Sequence, residues 1–155
     1  PEDVKAGWGA LAIFALMALA VGTFVVRGAG PIAFGLRPIL ATMFAPLAFT
    51  MGVPWSEAGA VGELFGIKLM LNEFVAYFQL AAMLGGEHQL QPRSIVIATY
   101  ALSGFANFSS IAIQLGGIGG IAPSRRHDLS RLGLRAMIAG SIAAFMTATV
   151  AGMIL

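Results

Sequence analysis

Between Ala6 and Val26 the chain carries no charged residue. Such a run of Leu, Ala, Phe, Met and Val is long enough to cross a ~30 Å hydrocarbon core as a helix, so residues 1–27 predict a first transmembrane span. The next apolar run, between Arg37 and Glu57, contains Pro38, Pro46 and Pro54. Proline removes a donor and disfavours helix before it, so residues 28–54 predict short helices near the membrane interface. From there the pattern changes: Glu57, Glu63, Lys68 and Glu73 interrupt apolar sequence, and the following apolar arm ends at Gly86. Arms of about 10–12 helical residues rise only ~15–18 Å. Residues 55–90 therefore predict a re-entrant hairpin with its tip near Leu69–Glu73, a shape tolerated only where protein or a water-filled cavity covers the tip. Ser94 to Ser124 is again free of charge, and as one helix it would run ~46 Å. A discontinuous helix is expected over 91–124, unwound around Asn107–Ser110. Residues 125–155 then predict a charged link followed by a last span over Ala136–Leu155.

Composition supports the membrane reading. Of 155 residues 58% are hydrophobic and 10% charged, against roughly 25% charged in a soluble domain. With no cysteine, disulfides and thiolate metal sites are excluded. A net charge of +2 offers no basic face for nucleic acid. Arg125, Arg126, Arg131 and Arg135 crowd the last link, which the positive-inside rule places in the cytoplasm, leaving the hairpin mouth, at Pro54 and near Gln91, outside. The chain starts at Pro1-Glu2-Asp3 without an initiating Met or a basic leader segment, which suggests a piece of a longer protein and keeps the first apolar run as structure.

Three features exceed what membrane packing requires. Glu73 is a carboxylate inside apolar sequence, costing ~2.5–3.5 kcal/mol at a helix centre on insertion scales. It should face a cavity or a partner, and the plainer alternative is a structural ion pair with Lys68. Asn107, Ser109 and Ser110 lie where the overlong helix must break. Such groups often only bond a neighbouring helix, worth roughly 0.6 kcal/mol, but unwound backbone also lines substrate sites in broken-helix transporters. The glycines Gly116, Gly117, Gly119 and Gly120 have helix-packing spacing and lack the strand and Gly-Lys-Ser/Thr of a phosphate loop. His88 and His127 read as solvated, and no nucleophile–base pairing argues for an enzyme.

The string Gly66-Ile67-Lys68-Leu69-Met70-Leu71-Asn72-Glu73-Phe74-Val75-Ala76-Tyr77 resembles the signature of the concentrative nucleoside transporters. Phe44-Ala45-Pro46-Leu47-Ala48-Phe49 with Met51-Gly52-Val53-Pro54-Trp55, and Gly104-Phe105-Ala106-Asn107-Phe108-Ser109-Ser110-Ile111 with Gly116-Gly117, extend the match over most of the chain. The resemblance implies an all-α membrane protein, the second half of an inverted-repeat transporter, whose amino-terminal half has its own hairpin and broken helix. It implies that Glu73, Asn107 and Ser110 hold ribose hydroxyls and that Phe105 lines the same pocket. It further implies a homotrimer in the cell (inner) membrane, a static scaffold holding the first span, and a moving transport domain holding the hairpin and broken helix.

The expected function is secondary active import of nucleosides by cation symport with elevator-type access. No cofactor is expected. The coupling ion is Na⁺ or H⁺, with its ligands in the other half, and base preference stays open. Lys68 has no assigned partner beyond Glu63 or Glu73. The rival expectation is a non-transporting membrane structural or assembly subunit, in which Glu73, Lys68 and Asn107 only bind neighbouring helices.

Overall fold

A computed structural model describes residues 31–86 and 90–154, entirely helical apart from turns and links. The expected first span, together with Glu87 and His88, lies outside them. The chain divides into two compact units, Pro1–Leu36 and Arg37–Leu155, and the candidate site falls wholly within the second. The helices are α1 (Pro31–Thr50), α2 (Trp55–Met70), α3 (Glu73–Leu84), α4 (Pro92–Leu102), α5 (Phe108–Ile121) and, after a 3₁₀ turn at Pro123–Arg125, α6 (Arg126–Ile154).

In place of the short helices expected before residue 54, α1 is a single helix with Pro38 and Pro46 inside it. Each proline costs roughly 3 kcal/mol in a helix interior. In apolar surroundings the alternative is worse, because every further unwound peptide exposes a donor and an acceptor that lipid cannot satisfy. Thr42 Oγ1 also donates to the Pro38 carbonyl at 2.8 Å. The helix stops where Gly52 takes φ +103°. Val53 N–H donates to Ala48 O at 3.2 Å and Gly52 N–H to Phe49 O at 2.9 Å, the paired bonds of a Schellman ending. Pro54 follows, and α2 leaves at 117° to the preceding helix.

The α2 and α3 helices pack on each other across a break at Leu71–Asn72, forming the expected hairpin. With 16 and 12 residues the arms rise ~24 and ~18 Å, each short of a full crossing. The discontinuous helix is present too, as α4 and α5. Its break covers residues 103–107, about a turn before the expected position, because Asn107 caps α5 and draws Phe108–Ser110 into its first turn.

Ser94, Ile97, Ala98, Ala101 and Leu102 form the buried stripe of α4, the 3–4 residue spacing of one helix face. It meets the buried Ser141, Phe145, Ala148 and Gly152 of α6. Phe65 of α2 joins the core against Phe145, ring centroids 5.0 Å apart. On the other face of α6, Ile138, Ile142, Met146 and Val150 are exposed at four-residue spacing, as lipid contact requires. The arginine-rich segment expected as a link is helical from Arg126 onward. Arginine and leucine are good helix formers, Asp128 lies in the favourable first turn, and Arg125 Nε pairs with its carboxylate at 2.7 Å. With 29 residues, α6 reaches ~43 Å, so the arginine end has length to spare beyond the hydrocarbon. Among the described residues, the segment from Pro123 to Ile154 is the one helix long and apolar enough to cross a membrane unaided.

Close approach of α1 and α2 depends on glycine. A Cβ on Gly62 would stand 2.7 Å from Ala45 N and 2.8 Å from Phe44 C, backbone atoms that cannot swing away, and one on Gly66 would stand 2.6 Å from Leu40 Cβ. Arg37 Nε meets Glu63 Oε1 at 3.1 Å beside this contact. Gly59, one turn earlier, faces open space. Gly62→Ala is expected to destabilise the full-length protein by about 1–3 kcal/mol through overpacking, whereas Gly59→Ala should be neutral or gain up to ~1 kcal/mol of helix propensity. Thermal unfolding of both variants in detergent checks this, and equal effects would contradict the contact.

Candidate functional site

Two helix breaks, Leu71–Asn72 at the hairpin tip and Ser103–Asn107 between α4 and α5, are brought together, and each leaves backbone groups without helical partners. Asparagine begins both helices that follow. Asn72 Oδ1 accepts from Val75 N–H at 2.9 Å, and Asn107 Oδ1 accepts from Ser110 N–H at 2.7 Å. Both are N-caps of the strongest residue class. The sequence signal was available, since each Asn stands immediately before the helical run that follows a break.

The two breaks also serve each other. Asn107 Nδ2 donates to Glu73 Oε2 at 2.7 Å, and Ser109 Oγ donates to the Leu71 carbonyl at 2.6 Å, the free end of the first hairpin arm. The single Ser110 Oγ–H is shared between two acceptors, Asn107 Oδ1 at 2.9 Å and the Phe105 carbonyl. The last turn of α4 is closed in the same way. Tyr77 Oη donates to Thr99 O at 2.7 Å, Ser103 Oγ to Tyr100 O at 2.8 Å, and Lys68 Nζ to Ala101 O at 2.7 Å. Tyr77 and Ser103 were not singled out from the sequence, because a hydroxyl on a helix face carries no signal until the carbonyl it must reach is known.

Charge follows the helix ends. Glu73 is the first residue of α3 and is bonded to the cap of α5, so its carboxylate stands at two helix N-termini, where negative charge is favoured. Lys68 lies in the last turn of α2 and bonds the last turn of α4, so its ammonium stands at two C-termini. The ion pair considered for Lys68 with Glu63 or Glu73 is not formed: Glu63 pairs with Arg37, and Lys68 turns to Ala101 and to the Phe145 ring, 5.4 Å from its centroid.

Of the four residues singled out from the sequence, Asn107 is 1% exposed, Glu73 and Ser110 are half-buried, and Phe105 is 75% exposed. Phe105, Asn107 and Ser110 line one side of a groove of about 500 Å³ between α5 and α6, which continues past Gln114, Leu132 and Met137. Glu73 is outside the groove lining and joins the others through its bond to Asn107. The glycines expected to allow close helix packing do so only in part. Gly116, Gly117 and Gly120 face open space, and Gly119 lies under the Arg126 side chain. The close approaches between the α5 side and α6 are instead at Gly133 against Ile111 and Gly140 against Ala106.

The profile of a family described as "Na+ dependent nucleoside transporter C-terminus" matches residues 7–152. The chain is 47% identical over 148 residues to the uncharacterized transporter YutK of Bacillus subtilis, covering 92% of this chain and 35% of that protein. It is also 47% identical over 117 residues to the nucleoside permease NupC of Helicobacter pylori, covering 74% and 28%. A solved structure of CNTnw in an inward-facing substrate-bound state is similar with a TM-score of 0.73 and 42% identity, over 96% of this chain and 37% of that one. The chain thus spans about a third of the length of these proteins.

The two caps differ in what they hold. Asn72→Ala removes a cap and should cost about 1 kcal/mol. Asn107→Ala removes a cap and the Glu73 bond together, and should cost about 2–3 kcal/mol. Thermal or denaturant unfolding of the full-length protein compares them, and equal losses would mean that the Asn107–Glu73 bond adds nothing to stability.

Proposed function

This chain belongs to the Na⁺-dependent nucleoside transporter family, as its carboxy-terminal portion, and from that premise we propose that the full-length protein is a secondary active transporter. It is a multi-pass protein of the cell membrane that imports nucleosides, driven by a cation entering down its own gradient. The observation that carries this reading is the 2.7 Å bond between Asn107 Nδ2 and Glu73 Oε2. It joins an acceptor-only carboxylate to an amide that both donates and accepts, at the meeting point of the hairpin tip and the helix break.

A ribose presents vicinal hydroxyls, each a donor and an acceptor. Glu73 accepts from them, through bonds to a charged acceptor that are about twice as strong as neutral ones. Among the described residues Glu73 Oε1 receives no hydrogen bond, and Oε2 is anchored by Asn107. Asn107 Nδ2 has a second hydrogen to donate, Ser110 supplies a hydroxyl one helical turn further on, and the exposed Phe105 ring gives an apolar wall for the sugar or base. The sugar thereby replaces water at two helix N-termini.

Sodium is the coupling ion in this reading, in keeping with the family's description. Alternating access is of the elevator type. The hairpin, α4, α5 and α6 are bound across both breaks by side chains, as a unit that travels whole requires, and the sequence resemblance supplies the homotrimeric scaffold. In the competing reading, a structural subunit, the same Asn107–Glu73 bond is only a helix tie, which leaves the unbonded Glu73 Oε1 without a role. A tie predicts no thermal stabilisation by nucleosides, whereas a site predicts RT ln(1 + [L]/Kd).

Uptake of labelled uridine by the full-length protein tests the assignment. Glu73→Gln and Asn107→Ala should each lower uptake at sub-saturating uridine about 10- to 100-fold, the equivalent of ~1.5–3 kcal/mol per lost charged bond. Uridine lacking both the 2′- and 3′-hydroxyls should compete poorly. Replacing external Na⁺ with choline at constant pH should abolish accumulation. Wild-type uptake by both variants would remove these residues from the site, and accumulation that persists in choline but follows a proton gradient would remove sodium.

A further inference from the structure

Lys68 is fully buried. Its Nζ lies 2.7 Å from the Ala101 carbonyl, 5.4 Å from the centroid of the Phe145 ring, and 3.6 Å from where a Cβ on Gly104 would be. Among the described residues it enters no ion pair, since the carboxylates in contact with a cation are Glu63, held by Arg37, and Asp128, held by Arg125. A buried ammonium without a contacting counter-ion is expensive, so something else must hold it. The Glu73 carboxylate attracts it through space without touching it, and what contacts or flanks it is the C-terminal end of α2, the C-terminal end of α4, a carbonyl freed by the α4 break, and an aromatic face. Each favours positive charge, the first two through the helix dipole and the last through the ring quadrupole.

Carbonyls of unwound backbone and the C-terminal ends of half-helices are also the ligands that broken-helix transporters offer to a diffusible coupling cation. We infer that the Lys68 ammonium is a tethered cation filling a monovalent-cation site at the α4 break, so that this break is closed by the protein's own side chain in place of a diffusible ion. The chemical class of ligand that the emptied site would take is a small primary ammonium, which matches the three N–H donors and the cation–π contact. Gly104 lies beside the arrangement: a Cβ there would meet Ala144 Cβ at 3.0 Å and would stand in ordinary contact with the ammonium at 3.6 Å. The inference concerns the break itself and does not depend on which solute is carried.

Chemical rescue tests it in the full-length protein, with the folded fraction after detergent extraction and the thermal midpoint as readouts. Lys68→Ala should reduce both, the midpoint by about 5 °C. Methylammonium chloride present from extraction onward should restore at least half of the loss in a saturable way. N-methylglucamine chloride at equal ionic strength, whose cation is too large for the space, should restore nothing. Lys68→Met, which fills the space without charge, should be destabilised and insensitive to methylammonium. If methylammonium improves neither readout for Lys68→Ala, or N-methylglucamine does as well, the cation site is overturned. Wild-type stability of Lys68→Met would overturn it too, by reducing Lys68 to a filler. Because uptake is not among the readouts, failure here is distinguishable from failure of the nucleoside reading.

Discussion

The constraint on which this structure turns is that a helix interrupted inside apolar surroundings must find partners for the backbone groups it frees. Water does this at the ends of helices in soluble proteins, and lipid does not. Two interruptions, at Leu71–Asn72 and Ser103–Asn107, come together here, and side chains from one supply what the other lacks. Ser109 reaches the Leu71 carbonyl, Lys68 and Tyr77 reach carbonyls of α4, and Asn107 links the start of α5 to Glu73. Neither break is stable by itself in that environment. Hairpin and broken helix are therefore one structural unit, and polar residues within apolar sequence follow from their shared backbone requirement before any ligand is considered.

A charge logic accompanies the hydrogen bonding. The negative group, Glu73, is placed where two helices begin, and the positive group, Lys68, where two helices end. Each charge is then held by fixed backbone dipoles, and the two need not contact each other. A direct Lys68–Glu73 pair would neutralise the carboxylate's reach as an acceptor. Separating the charges by assigning them to opposite kinds of helix end leaves Glu73 half-exposed with acceptor capacity to spare, while Lys68 is sealed behind the break. The same arrangement lets a deeply buried cation persist with the Glu73 carboxylate acting on it only through space and not by contact.

Length and charge spacing made the coarse architecture legible. The short arms around Glu73 could not cross and the run from Ser94 to Ser124 could not remain one helix, because rise per residue and core thickness are fixed quantities. Proline is a poor guide in α1, where Pro38 and Pro46 sit inside a continuous helix, because its penalty in water is outweighed where unwound backbone would have no water to bond. Charge after Pro123 does not mark a loop either, since α6 carries Arg126, Arg131 and Arg135 on helical turns. The second break lies about a turn before the position that Asn107–Ser110 suggest, because the Asn107 side chain starts the next helix. Lys68 was legible as unusual but not as to its partner, since its acceptor is a backbone carbonyl 33 residues away, and carbonyls leave no mark in a sequence.

The interlocking also bears on how such a site can move and still stay assembled. If the hairpin tip and the broken helix slid past each other in the proposed transport cycle, each step would strip Ser109 from Leu71 and Lys68 from Ala101, the second leaving a fully buried ammonium unpaired at a cost of about 1–3 kcal/mol. Moving them together costs none of those bonds. In the proposed elevator motion the surfaces to rearrange would be the exposed apolar faces, such as the Ile138, Ile142, Met146 and Val150 row of α6, whose apolar contacts are non-directional and exchange at little loss. A unit with its polar contacts inside and its apolar contacts outside follows from the same backbone constraint that joins the two breaks, and it is the unit that the proposed elevator motion would carry.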